Sequence, residues 1–99
     1  MRLKKDIVEI DNCVDKVKKL RGVNFKWIQD DRDDFGVIAQ EVEEVAPHAV
    51  KENKEGIKSV DYSRLTTLLI QAVKEQQVTI ENQQQQIDEL KKMVTDSKS

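Results

Sequence analysis

The sequence predicts an α+β chain. Short helices and small β-hairpins sit at the base of a long C-terminal helix, which forms a parallel trimeric coiled coil. Three observations carry this. An apolar seam repeats at heptad spacing from Leu69 to Val94, and no Gly or Pro occurs from Tyr62 to Ser99. Before residue 61 the patterns are short and broken by turn residues.

Asp11 reads as an N-cap, because its carboxylate can accept from the free N–H groups of a first helical turn. Cys13, Val14, Val17 and Leu20 follow at helical spacing, Lys18, Lys19 and Arg21 favour the last turn, and Gly22 supplies a stop. This predicts a helix over 11–21, with Ile7, Val8 and Ile10 as an extended lead-in. Val23, Phe25 and Trp27 alternate with polar residues and predict a half-buried strand. Carboxylates at alternating positions of Asp30-Asp31-Arg32-Asp33-Asp34 could chelate Ca²⁺, but the Gly and closing Glu of a calcium loop are missing. The run reads instead as a solvated hairpin turn, with Phe35 to Ile38 returning as the second strand.

Gln40 to Ala46 predicts a short helix with Ile38, Val42 and Val45 on one face and Glu41, Glu43 and Glu44 solvated. Pro47 ends it. Ala49–Lys51 and Ile57–Val60 can pair as a second hairpin, with Gly56 taking a positive φ in the turn. Asp61 caps the last helix, predicted over 62–95 and about 50 Å long at ~1.5 Å per residue. The organisation is thus a small α+β region at 1–61 with projecting arms and a coiled-coil helix at 62–99, one domain overall.

Leu69, Val73, Gln76, Ile80, Gln83, Ile87, Leu90 and Val94 form the seam, with Val73, Ile80, Ile87 and Val94 at a and the others at d. Two of the four d layers are Gln. A buried amide must find partners, and copies of one Gln meet in a single layer only when the helices are parallel and in register. These layers, with β-branched a positions, favour a parallel trimer over a dimer. Positions e and g carry Gln77, Thr79, Gln84 and Gln86 rather than charged pairs, which suits self-association. The heptad runs through the Gln83–Gln86 tract without slippage.

Composition narrows the function. Of 99 residues, 37% are hydrophobic and only four are aromatic, a thin supply for a lone core, so oligomerisation is expected. The 17 basic and 19 acidic residues are spread over both halves without a basic patch, which argues against nucleic acid. No apolar run approaches the ~20 residues needed to span a bilayer, and no signal peptide is visible. Cys13 stands alone and is expected to pack as a small apolar residue; His48 lacks companions at metal-ligand spacing. No complete active site, metal site or cofactor motif is present.

Four segments nonetheless resemble one family. They are Arg2-Leu3-Lys4-Lys5-Asp6-Ile7, Leu20-Arg21-Gly22-Val23-Asn24-Phe25-Lys26-Trp27, Gly36-Val37-Ile38-Ala39-Gln40-Glu41-Val42 with Pro47, and Ser59-Val60-Asp61-Tyr62-Ser63-Arg64-Leu65. Their order and spacing resemble the intramolecular chaperone auto-processing domain of bacteriophage tail fibres, tailspikes, endosialidases and neck appendages. A related domain occurs in myelin regulatory factor.

The resemblance implies a homotrimer that assists folding of a preceding β-rich fibre and then cuts itself off through a serine–lysine dyad. The family motif is Ser-Asp-any-Arg-any-Lys, cut after the Ser. Arg2 and Lys4 match the Arg and the Lys. The Ser would fall two positions before Met1, so this chain is expected to be the released product, or to begin just past the cut, and to be unable to cleave. Lys4 would be the general base. Action in the host cytoplasm during phage assembly, with no cofactor, is implied as well. The competing readings are a plain coiled-coil trimerisation or adaptor module without autoproteolysis and, more weakly, an enzyme acting in trans. A further expectation is that Phe25, Trp27 and Phe35 pack on the helix base around Leu65, Leu68 and Leu69, since they are too few to form their own core.

Overall fold

Asp61 starts the helix that organises the molecule. Its carboxylate Oδ1 accepts the N–H groups of Ser63 at 3.1 Å and Arg64 at 3.4 Å, as its N-cap position predicts. From there α3 runs over Tyr62–Ser97, two residues past the expected end. The computed structural model describes residues 3–97 and measures 72 × 44 × 21 Å, its long axis set by α3. The order before α3 is α1 (Cys13–Lys18), β1 (Val23–Lys26), β2 (Asp33–Gly36), α2 (Ala39–Val45), a 3-10 turn (Pro47–Ala49), β3 (Val50–Glu52) and β4 (Lys58–Val60).

The core is small and lies along the first third of α3. Leu65, Leu68 and Ala72 are buried there with Cys13 of α1, Val42 of α2 and Ala49 of the 3-10 turn. Val14, Val17, Leu20, Val37, Ala46, Val50 and Val60 close around them. The Asp61 N–H donates to the Ala49 carbonyl at 2.7 Å, tying the start of α3 to the 3-10 turn.

Both sheets are two-stranded and antiparallel. In β3–β4, Val50, Lys51 and Glu52 pair with Val60, Ser59 and Lys58. Asn53 Oδ1 accepts the N–H groups of Glu55 and Ile57, both at 2.9 Å, and Gly56 takes φ +82°. In β1–β2, Val23, Asn24, Phe25 and Lys26 pair with Gly36, Phe35, Asp34 and Asp33. The acidic run forms the turn as expected: Asp31 has φ +55°, and Asp30 Oδ1 accepts the Arg32 N–H at 3.1 Å. β2 begins two residues before the predicted Phe35.

Four expectations are corrected. The first helix is Cys13–Lys18 rather than 11–21, and Asp11 is not its cap. Asn12 holds the N-cap position in the left-handed conformation and its side chain makes no capping bond. Gly22 is not a left-handed stop; α1 ends as Lys19 and Leu20 N–H groups turn back to the Lys16 and Val17 carbonyls, a 3-10 tightening. Glu41 and Glu43 are not a free solvated face: Arg21 Nη2 lies 2.6 Å from Glu41 and Lys58 Nζ 2.6 Å from Glu43, joining α2 to its neighbours.

The fourth correction concerns the aromatic residues. Trp27 is 41% exposed and Phe35 77%, and Leu65 and Leu68 are covered by α1, α2 and the 3-10 turn instead. Register explains it. Phe35 sits opposite Asn24, so it faces away from Phe25. Phe25 and Trp27 stack edge to face at 5.1 Å, Arg32 lies over the Trp27 ring, and the indole N–H donates to Asp34 Oδ2 at 3.2 Å. Phe25 and Trp27 thus pack on each other, and Phe35 stays exposed.

Candidate functional site

Two apolar stripes of α3 make up the first part of the candidate site, and they lie one residue apart. Leu65, Leu68, Ala72 and Glu75 are spaced 3, 4, 3 and face the base. The a/d seam is the same pattern moved on by one residue, a rotation of about 100° at 3.6 residues per turn. Along it Leu69, Val73, Ile80, Ile87, Leu90 and Val94 are all exposed, as are Gln76 and Gln83. The base therefore fills one face of the helix and leaves the seam open along its length.

The seam also reaches further back than Leu69. Tyr62 and Thr66 continue it at d and a, and Tyr62 is exposed. The heptad count carried two steps upstream would have found them. The Tyr62 hydroxyl accepts the Val37 N–H at 3.4 Å and stands over Gly36, linking the first turn of α3 to the end of β2. On the e side, Gln77 Nε2 donates to Glu81 at 3.2 Å and Gln84 Nε2 to Asp88 at 3.0 Å, so these amides are held on their own helix.

The N-terminal segment is the second part of the site. Leu3, Ile7 and Val8 are exposed, and so is Lys4. Arg2 lies outside the described residues. Residues 9–12 run beside Gln71, Lys74, Glu75 and Val78 of α3 across a shallow groove. Gln71 Nε2 meets Glu9 Oε2 at 3.5 Å. The Glu75 carboxylate then accepts the Cys13 N–H at 2.7 Å with Oε2 and the Val14 N–H at 3.2 Å with Oε1. These two amide bonds, Cys13 first, hold the Glu75 carboxyl below its ordinary range. Burial, seconded by Glu75, pushes the Cys13 thiol up, so it stays a neutral packing group. No pattern near residue 75 announces this cap, which is made 62 residues away in sequence.

Other candidates serve structure. His48 is exposed, and its carbonyl accepts from Arg64 Nη1 at 3.0 Å. Asp34 accepts the Phe35 N–H and then the Trp27 indole, which hold its carboxyl low. Among the described residues no group of three or more His, Cys, Asp or Glu is placed to hold a metal ion, and no helix is long and apolar enough to cross a membrane.

Comparison with known proteins points one way. The family model described as chaperone of endosialidase matches residues 1–51. The long tail fiber protein Gp37 of Salmonella phage S16 is 34% identical over 104 residues, covering 94% of this chain and 14% of that protein. Gp37 of Enterobacteria phages K3 and T2 are each 34% identical over 83 residues, covering 75% of this chain and 7% and 6% of theirs. The chain thus spans a seventh or less of the length of these relatives.

Proposed function

Because this chain belongs to the chaperone-of-endosialidase family, we propose that it is a tail-fibre chaperone domain, which trimerises, registers a preceding β-rich phage fibre or spike for folding, and is released by Ser–Lys self-cleavage. The observation that carries this is the open seam: a 36-residue helix exposes a continuous heptad stripe while its own domain fills the adjacent face. A third-filled helix of this length is built to be completed by copies of itself. Residues 1–61 form the base and arms, and residues 62–99 the coiled coil, acting as one unit.

The physical logic runs from rate to release. A trimeric β-fibre has long-range pairings and closes them slowly. A helical seam forms from local contacts, sets three chains in parallel register through the Gln76 and Gln83 layers, and raises the effective concentration of the tethered fibre stalks. Once folded, the fibre is kinetically trapped and no longer needs its template. In the precursor, Lys4 would accept the proton of the motif Ser as its hydroxyl attacks the carbonyl of the Ser–Asp peptide bond; the C–N bond would then break, the proton would pass to the departing Asp amine, and water would hydrolyse the ester that remains. Accepting the Ser proton requires a neutral amine, which arginine cannot supply.

The test is a precursor with the upstream fibre segment and the motif Ser-Asp ahead of Met1. Sedimentation equilibrium should give three times the chain mass, and electrophoresis should show the cut. Lys4→Ala and Lys4→Arg should give intact trimers. A single-chain mass would overturn trimerisation, and normal cleavage in either variant would remove Lys4 from the mechanism. A trimer that never cleaves would leave a plain trimerisation module.

A further inference from the structure

We propose that Glu75 is a positioning residue for self-processing: its carboxylate fixes where α1 begins on α3, and so where the segment carrying Lys4 departs from that helix. This rests on the self-cleavage reading above.

The geometry calls for a cap from outside. A helix start leaves its first N–H groups without internal partners. Asn12, at φ 53° and ψ 36°, turns the chain into α1 without offering its own side chain. Glu75 supplies both acceptors, one carboxylate oxygen to the Cys13 N–H and the other to the Val14 N–H. Chelation of two successive amides by one carboxylate sets direction as well as distance.

The chain before α1 has little else to seat it. Leu3, Ile7 and Val8 are exposed, so apolar burial does not place residues 3–8. The longer tie from Gln71 to Glu9 lies one helical turn before Glu75, on the same side of α3. Together the two ties pin residues 9–14, and Lys4 stands five residues ahead of Glu9. Five residues span at most about 17 Å, so the anchor bounds where the amine can lie, and its release widens that range. A misplacement of about 1 Å can cost on the order of 100-fold in rate. Glu75 also lies off the a/d seam, which separates its role from assembly.

The experiment uses the same precursor with Glu75→Leu and Glu75→Gln. Glu75→Leu should cleave at least about ten-fold more slowly than wild type while sedimenting at the same mass. Glu75→Gln keeps the length but not the charge or the second carboxylate oxygen, and should fall between. In the uncleaved Lys4→Ala trimer, the Cys13 and Val14 amide resonances should follow the titration of a carboxyl group, and the Glu75→Gln change should abolish that. Equal cleavage rates in wild type and Glu75→Leu, or amides that do not titrate, overturn the role of Glu75 and leave cleavage itself standing. A wild-type precursor that stays whole overturns the cleavage reading and this role with it. Variants that fail to assemble place Glu75 in folding as a whole and overturn a separate positioning role.

Discussion

Leu68 and Leu69 are neighbours in α3 with different surroundings: Leu68 is 3% exposed beneath α1 and the 3-10 turn, and Leu69 is 41% exposed on the seam. One residue of helix turns the chain by about 100°, enough to separate the face that packs on the base from the exposed seam proposed to assemble the chains. Leu68→Ala should destabilise each chain by about 2–5 kcal/mol while leaving the assembled mass unchanged. Ile80→Asp should do the reverse, lowering the sedimenting mass while the base keeps its fold. Calorimetry beside sedimentation checks both, and a Leu68→Ala change that alters mass without lowering the melting point would refute the division.

Gly36 and Tyr62 form a close fit. A Cβ at Gly36 would stand 2.6 Å from the Tyr62 hydroxyl oxygen, inside contact distance. Gly36→Ala should therefore cost about 1–3 kcal/mol through overpacking. Tyr62→Phe in the same chain removes the offending oxygen and should recover most of that loss. A double-mutant cycle by chemical denaturation measures the coupling, and additive effects would mean that the hydroxyl moves aside freely.

Trp27 should prove dispensable for stability. Its ring packs on Phe25 and Arg32 at the hairpin turn and is 41% exposed. Trp27→Ala should cost about 0.5–1.5 kcal/mol, the scale of an aromatic pair, well below the ~3–5 of a buried tryptophan. Equilibrium unfolding in urea decides between the two scales.

Acid should loosen α1 from α3. The folded Glu75 carboxyl is lowered from its ordinary value of 4.5 by the Cys13 and Val14 amides. A lowered folded value stabilises fully above the unfolded value and loses that contribution as pH falls through the folded one. Asp34, lowered by the Phe35 N–H and the Trp27 indole, acts with the same sign in the hairpin. Stability should thus hold from neutral pH down to the ordinary carboxyl value of 4.5 and fall as the pH drops below it, and the fall should be smaller in Glu75→Gln. Denaturation curves at several pH values test this; an unchanged pH dependence in Glu75→Gln would exclude Glu75 as a source.

What the sequence determined by itself was local or periodic. Asp61 sits where a cap must sit, Gly56 takes the positive φ that its turn needs, Pro47 ends α2, and the heptads mark one uninterrupted helix face. Each depends on residues within a turn or two of one another, so spacing alone reveals them. The membership of the chain in its family was also readable from four short segments. The tertiary structure alone decided which face of α3 the base would cover, that Glu75 rather than Asp11 caps α1, and that Phe35 turns away from Phe25. Those outcomes depend on contacts across 60 or so residues and on a strand register with competing options. A carboxylate finds distant amides, and a leucine its neighbours, only after the whole chain has chosen one packing, because each group is stabilised by partners that local spacing does not specify.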